Sequence, residues 1–172
     1  KSSYASELLS SNDLGIVNIR SNELIKLNNR RKEIETLILD EINFQNIENE
    51  NKDIIIYYNS NINEGLIGII AARLKDYFNK PSIVITNSNE LLKGSARSVF
   101  DYNIGRAIKN SLDNDLILGG GGHNMAAGFT LKKNNLNNFK NFILKDFSKT
   151  SAMQDHTFLY DSEVSSLAFN ID

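Results

Sequence analysis

Hydrophobic positions change period several times along this chain, and each change marks an element. Ser21 or Asn22 can cap a long helix in which Leu24, Leu27, Ile34, Leu37, Ile38 and Ile42 form an apolar stripe between Arg30, Arg31, Lys32, Glu33 and Glu35. One stripe predicts one buried face. The period is lost over the polar stretch Asn43 to Lys52, which reads as a linker or boundary. Asp53 to Tyr58 is a β-rich run without strict alternation, as expected of a strand buried on both faces. Helical spacing returns with Leu66, Ile69, Ile70, Leu74 and Phe78, ends before Pro81, and gives way to a second strand at Ser82 to Thr86. A third strand is predicted from Lys93 to Val99, a helix from Asn103 to Leu112, and a strand near Gly128 to Leu131. Asn134 then caps a last helix with Leu136, Phe139, Phe142, Ile143 and Phe147 on one side. Strands alternating with helices predict an α/β domain. Phe158 to Ile171 reads as one or two strands of a further unit.

One segment follows neither period. Leu118-Gly119-Gly120-Gly121-Gly122-His123 places four glycines in front of an imidazole, and Ala126-Ala127-Gly128-Phe129 resumes ordered, small-residue packing at once. Glycine reaches positive φ without a Cβ penalty, so the run reads as a loop whose N–H groups converge on an anion. Charge changes the picture further. Residues 73–109 carry seven basic side chains, including Arg97, Arg106 and Lys109, against three acidic ones, although the whole chain has a formal net charge of −2. Such a local excess is where a polyanion would be held. The 172 residues contain no cysteine, which excludes disulfides and thiolate metal sites. The longest apolar stretch, Gly65 to Ala72, is too short to span a bilayer, and Lys1-Ser2-Ser3-Tyr4 does not open a signal peptide, so no membrane partner and a cytoplasmic location are expected.

Three segments could meet at one site. Asn63-Glu64-Gly65-Leu66-Ile67-Gly68 is a turn feeding a helix N-terminus, where free N–H groups suit an anion. In Lys93-Gly94-Ser95-Ala96-Arg97-Ser98, strand alternation puts Ser95 and Arg97 on one face, a hydroxyl beside a guanidinium fork. The glycine run with His123 is the third. From chemistry alone His123 could donate to a phosphate oxygen, orient a metal ligand or polarise a scissile bond. His156, in the acidic C-terminal stretch, has no catalytic assignment.

Taken in order, Asn63 to Leu74, Lys80 to Ile85, Lys93 to Ser98 and Gly120 to Phe129 resemble the DHHA1 domain of the RecJ family of single-strand-specific exonucleases. Leu27 to Glu35 is similar to the helix that joins that family's two catalytic domains, and Tyr160-Asp161-Ser162-Glu163-Val164 resembles the start of its OB-fold. The resemblance implies a helical linker over 1–50, a DHHA1 domain with a central mixed sheet flanked by helices over 51–150, and the beginning of an OB-fold over 151–172. It implies the C-terminal part of a 5′ to 3′ exonuclease acting on single-stranded DNA in repair and recombination. Mn2+ or Mg2+ would be bound by an N-terminal DHH domain and none by this chain, which alone would be inactive. The implied partners are single-stranded DNA, that DHH domain and single-strand-binding protein. By the same resemblance Ser95, Arg97, Gly120, Gly121, Gly122 and His123 would bind substrate phosphate, His123 acting opposite the metals, while Asn63, Gly65 and Lys93 would add contacts. Where the family has an aromatic residue and a histidine before Gly65, this chain has Ile62 and Asn63. A phosphodiesterase of cyclic dinucleotides or short oligonucleotides, and a nucleic-acid-binding module without chemistry, are the alternative readings.

Overall fold

The computed structural model describes residues 3–42, 47 and 53–151. Two helices lead the chain, α1 (Ser3–Ser10) and α2 (Leu14–Glu41). An α/β unit follows: β1 (Ile55–Tyr58), α3 (Ile67–Phe78), β2 (Ser82–Ser88), β3 (Leu91–Arg97), α4 (Ile104–Asp113), β4 (Gly119–His123), β5 (Ala126–Lys132) and α5 (Leu136–Ser151). The five strands form one mixed sheet in the order β1-β2-β3-β5-β4, with β1 parallel to β2 and every other pair antiparallel. This is the predicted α/β domain with a central mixed sheet flanked by helices. The expected OB-fold start, with Tyr160 to Val164, lies outside the described residues, as does most of the predicted linker from Asn43 to Lys52.

Alternation along the strands sorts the sheet into two unequal faces. Ile83, Ile85, Leu92, Ala96, Ala127, Phe129 and Leu131 point to one side, where Ile104, Ala107 and Ile108 of α4 and Phe139 and Ile143 of α5 bury them. The other side is covered by α3, through Ile67, Ile70, Ala71 and Leu74 over Ile55 and Val84. Helix α3 lies mainly over β2 and β3, and Gly128 of β5 and Gly121 and His123 of β4 stay exposed. Phe129 secures the register across the middle. Its ring fills the space above Gly94, where a Cβ would stand only 2.1 Å from Phe129 Cζ, and it meets Phe139 at 4.6 Å between centroids.

Helix α2 departs from its predicted form. Asp13, not Ser21 or Asn22, is the N-cap, its carboxylate accepting from the Gly15 and Ile16 amides, so the helix starts eight residues before Asn22 and runs for 28 residues. The expected stripe is covered unevenly: Leu24, Leu27 and Ile38 are half-buried and Ile42 is buried, while Ile34 and Leu37 are exposed, Leu37 being 63% accessible. Ile38, Leu39 and Ile42 at the C-terminal end are the ones that join the domain's apolar core. The buried residue of α2 is Glu35. It accepts from Arg31 Nη1 at 3.2 Å on its own helix and from Arg73 Nε at 2.8 Å on α3. A carboxylate shut away from water needs such partners, and two guanidinium groups supply them.

The remaining boundaries shift by one or two residues. The third strand is Leu91–Arg97 instead of Lys93 to Val99, and a 3-10 turn at Lys133–Asn135 precedes α5 where Asn134 was expected as a cap. Gly94→Ala should destabilise the domain by about 1–3 kcal/mol, since the new methyl must displace the Phe129 ring from a packed core. Urea unfolding followed by circular dichroism measures this, and an unchanged midpoint would remove Phe129 from its place as the register lock.

Candidate functional site

The glycine run is a strand, not a loop. Gly119 to His123 pair antiparallel with Thr130 to Ala126, and none of the chain's glycines adopts a positive φ. The expected convergence of N–H groups on one anion therefore does not occur, because amide direction alternates along an extended strand. What the glycines supply is the absence of Cβ. A Cβ on Gly120 would come within 2.8 Å of Phe129 Cβ, and one on Gly122 within 2.2 Å of the Ala126 carbonyl oxygen. Gly105 of α4 adds a third close approach, since its Cβ would stand 2.6 Å from the His123 carbonyl oxygen. Strand β4 is thus pressed against β5 and α4 at backbone distance. A groove of about 550 Å³ follows it on the α4 side, bordered by Arg106 and Lys109.

Gly119 and Gly121 face the other way, into open space with nothing within 4 Å of an added Cβ. They belong to the face that α3 leaves uncovered. Register places three side-chain rows across β3, β5 and β4: Arg97, Ala126 and His123; Ser95, Gly128 and Gly121; Lys93, Thr130 and Gly119. Arg97 and His123 are two strands apart, about 10 Å between backbones. Between them the middle row is nearly bare, since a Cβ on Gly128 would meet only the Gly94 carbonyl oxygen, at 3.8 Å. The result is a shelf of exposed backbone with a guanidinium and a hydroxyl at one side and an imidazole at the other.

Arg97 and Ser95 on this shelf are held by the local fold. Arg97 Nη1 donates to Ser95 Oγ at 3.2 Å and to the Ala96 carbonyl at 2.8 Å, and among the described residues no carboxylate pairs with it. Three other arginines do pair with carboxylates, Arg20 with Glu7 and Glu23, and Arg31 and Arg73 with the single Glu35 they share, while Arg106 donates to the Thr150 hydroxyl. Gly68 in the first turn of α3 overhangs the pair, where a Cβ would lie 3.1 Å from Arg97 Nη2 and 3.2 Å from Ser95 Oγ. A side chain there would push the helix off the guanidinium. His123 is exposed at the end of β4.

The predicted auxiliary contacts stand at the rim. Lys93 Nζ donates to Glu64 Oε2 at 2.7 Å, a half-exposed pair that ties β3 to the turn before α3. Lys93, and then the Ser88 hydroxyl, hold the Glu64 carboxyl below its usual range, so this latch is closed at neutral pH and opens as acid protonates Glu64. Asn63 Oδ1 accepts from the Gly65 amide at 2.9 Å, which commits both residues to shaping the turn. Gly68, Gly94, Ala126 and Gly128 had no individual role in the sequence reading. The alternation that paired Ser95 with Arg97 carries the same signal for Ala126 and Gly128, once β5 is known to be their neighbour. Among the described residues no group of three or more His, Asp or Glu could hold a metal ion, so this shelf does not fit a metal site of its own. Among them too, no helix is long and apolar enough to cross a membrane.

Comparison with known proteins identifies the domain. Residues 51–149 match the DHHA1 domain family. The chain is similar to the single-stranded-DNA-specific exonuclease RecJ of Haemophilus influenzae, with 30% identity across 96% of this chain and 31% of that protein. The Bacillus subtilis enzyme of the same name is 34% identical over 64% of this chain and 14% of its own length. The crystal structure of RecJ in complex with Mn2+ from Thermus thermophilus superposes with a TM-score of 0.74 and 25% identity, covering 88% of this chain and 22% of that one. The chain therefore spans less than a third of the length of these relatives.

Two glycines one residue apart should respond oppositely to the same change. Gly121→Ala should leave stability within about 0.5 kcal/mol, because its methyl enters open space. Gly122→Ala should lose about 1–3 kcal/mol through backbone collision. Paired thermal melts test this, and equal melting temperatures would contradict the facing assigned to β4.

Proposed function

The chain belongs to the DHHA1 domain family, and from that premise we propose that its open shelf holds the sugar-phosphate backbone of single-stranded DNA as the substrate-binding half of a RecJ-like 5′ to 3′ exonuclease. The observation that carries this reading is the row Arg97, Ala126 and His123 beside a floor without Cβ atoms. A backbone phosphate needs donors with room to approach, and a guanidinium that no carboxylate of the described residues pairs with offers both charge and a planar fork. Ser95 adds a hydroxyl 3.2 Å from that fork. Gly121 and Gly128 let the strand lie close to the sheet, at a distance any side chain would prevent. The reading extends to Gly120 and Gly122, whose contribution is to seat β4 and so His123, and to Lys93, Asn63 and Gly65 as the rim.

Hydrolysis of a phosphodiester adds water at phosphorus and releases an oxygen of the sugar. Mn2+ or Mg2+ on a DHH domain outside this chain would supply the activated water in this reading, as two-metal nucleases do. The residues here bind and orient. Arg97 and Ser95 fix the phosphate so that it cannot slide along the shelf, and His123 donates a hydrogen bond to an oxygen of the phosphate under attack, where negative charge grows. A cytoplasmic setting and single-strand-binding protein as a neighbour belong to the same proposal.

Two measurements on the intact protein test it. Arg97→Ala should weaken binding of 5′-phosphorylated single strands by about 10- to 100-fold, the loss expected for a charge-assisted hydrogen bond, and weaken 5′-hydroxyl strands less. Equal weakening would make Arg97 a general backbone contact, and no weakening would end the proposal. His123→Ala should lower kcat by about 100-fold with little change in KM, since its bond strengthens only as charge develops. A rise in KM alone would reduce His123 to a binding group.

A further inference from the structure

Beyond the phosphate-binding row, the chain from β3 to α4 shows a feature that phosphate chemistry does not use. Phe100 is 78% exposed, although a ring of that size ordinarily finds cover. It is not on a loose loop. The Tyr102 amide donates to the Val99 carbonyl at 3.3 Å, closing a tight turn with Phe100 and Asp101 at its tip. Both ends of that turn are anchored in the core. Ser98 is buried and donates its hydroxyl to the Tyr102 carbonyl at 2.6 Å, and its amide donates to the Met125 carbonyl at 2.9 Å, at the tip of the β4–β5 hairpin. Tyr102 is 1% exposed, packs edge-on to Phe147, and donates its hydroxyl to Asp146 at 3.0 Å. A stiff support thus holds one apolar ring in water.

The position of that support gives it meaning. Phe100 follows Arg97 by three residues, so their Cα atoms are at most about 11 Å apart. Met125, 44% exposed, joins the same end of the shelf through its bond to Ser98, next to Ala126 in the row of Arg97 and His123. A strand whose phosphate rests on Arg97 must place bases to one side of its backbone. Asp101, exposed beside the ring, repels phosphate from this tip while leaving a neutral base unopposed. A flat, apolar ring on an anchored turn, three residues along the chain from a phosphate grip, is what a nucleobase stacks on, and such stacking is indifferent to base identity because every base has a π-face.

We propose that Phe100 is a base-stacking platform, which takes a nucleobase of the single strand whose phosphate Arg97 and Ser95 hold. This rests on the reading of the shelf as a phosphate site. The ring sets the strand's direction of exit from the shelf and favours nucleic acid with unpaired bases, since a duplex keeps its π-faces within its own stack.

The chain contains no tryptophan, so Phe100→Trp introduces a single fluorophore at the proposed platform. With the full 172-residue chain, a thymidine oligonucleotide should quench that emission, and an abasic oligonucleotide of equal length should not. Phe100→Ala should weaken thymidine-oligonucleotide binding by about 5- to 100-fold and leave the abasic oligonucleotide unchanged, whereas Arg97→Ala should weaken both. Emission indifferent to thymidine, or a Phe100→Ala variant that weakens both probes equally or neither, would overturn the platform. If Arg97→Ala weakens both probes while Phe100→Ala weakens neither, the phosphate reading stands and the platform falls. If Arg97→Ala weakens neither, both fall together.

Discussion

The open shelf depends on the register of β3, β5 and β4, and that register is held from the opposite face. Side chains alternate along a strand, so a slip of one residue in β5 would turn Phe129 to solvent and bring Gly128 and Ala126 into the core. Phe129 prevents this by occupying the space that Gly94 and Gly120 vacate on either side of it. The same contacts that fill the core therefore decide that Arg97, Ala126 and His123 fall in one row. Core packing and ligand geometry are two faces of one pairing, and the glycines divide between them: Gly94, Gly120 and Gly122 serve the packed side, Gly119, Gly121 and Gly128 the open one.

Electrostatics adds a second selection. Among the described residues Arg20 pairs with two glutamates, Arg31 and Arg73 share Glu35, and Lys93 pairs with Glu64. Arg97 is held instead by a hydroxyl and a carbonyl, which orient the guanidinium without cancelling its charge. Among the described residues, that charge stands at a half-buried position without a carboxylate partner, beside the exposed backbone of Gly121 and Gly128. Gly68 allows α3 to come close enough to wall in that charge on one side.

Much of this was legible from residue order. The apolar run of β2, buried over most of its length, and the apolar faces of helices α3, α4 and α5 announce themselves by period. Strand β1 was rightly read as a strand but not as one buried on both faces, since it lies at the sheet edge with Ile56 and Tyr57 half-buried and Tyr58 exposed. The alternation Lys93, Ser95, Arg97 likewise identified one face of β3. The glycine strand was not legible, because a run without side chains has no alternation to display and glycine is a poor strand former on its own. Its strand character comes from the partner β5, which is tertiary information. The start of α2 was missed for a related reason: Asp13 caps a first turn that packs on little, so no apolar stripe marks it. The exposure of Ile34 and Leu37 within the α2 stripe, and the burial of Glu35 between them, show the limit of reading burial from hydrophobicity, since what is covered depends on which part of a helix meets the domain.

That arrangement of α2 has a mechanical consequence. The helix is 28 residues long, about 42 Å, and it is fastened to the domain near its C-terminal end, where Arg31 and Arg73 grip one carboxylate from two helices. Glu35 is a fulcrum with a long arm on one side. A rotation of a few degrees at that ion cluster, within what a pair of hydrogen bonds can absorb, becomes a sweep of a few ångströms at the far end of the helix. Anything attached to that end would be aimed by Glu35 and the short apolar foot of Ile38, Leu39 and Ile42 behind it.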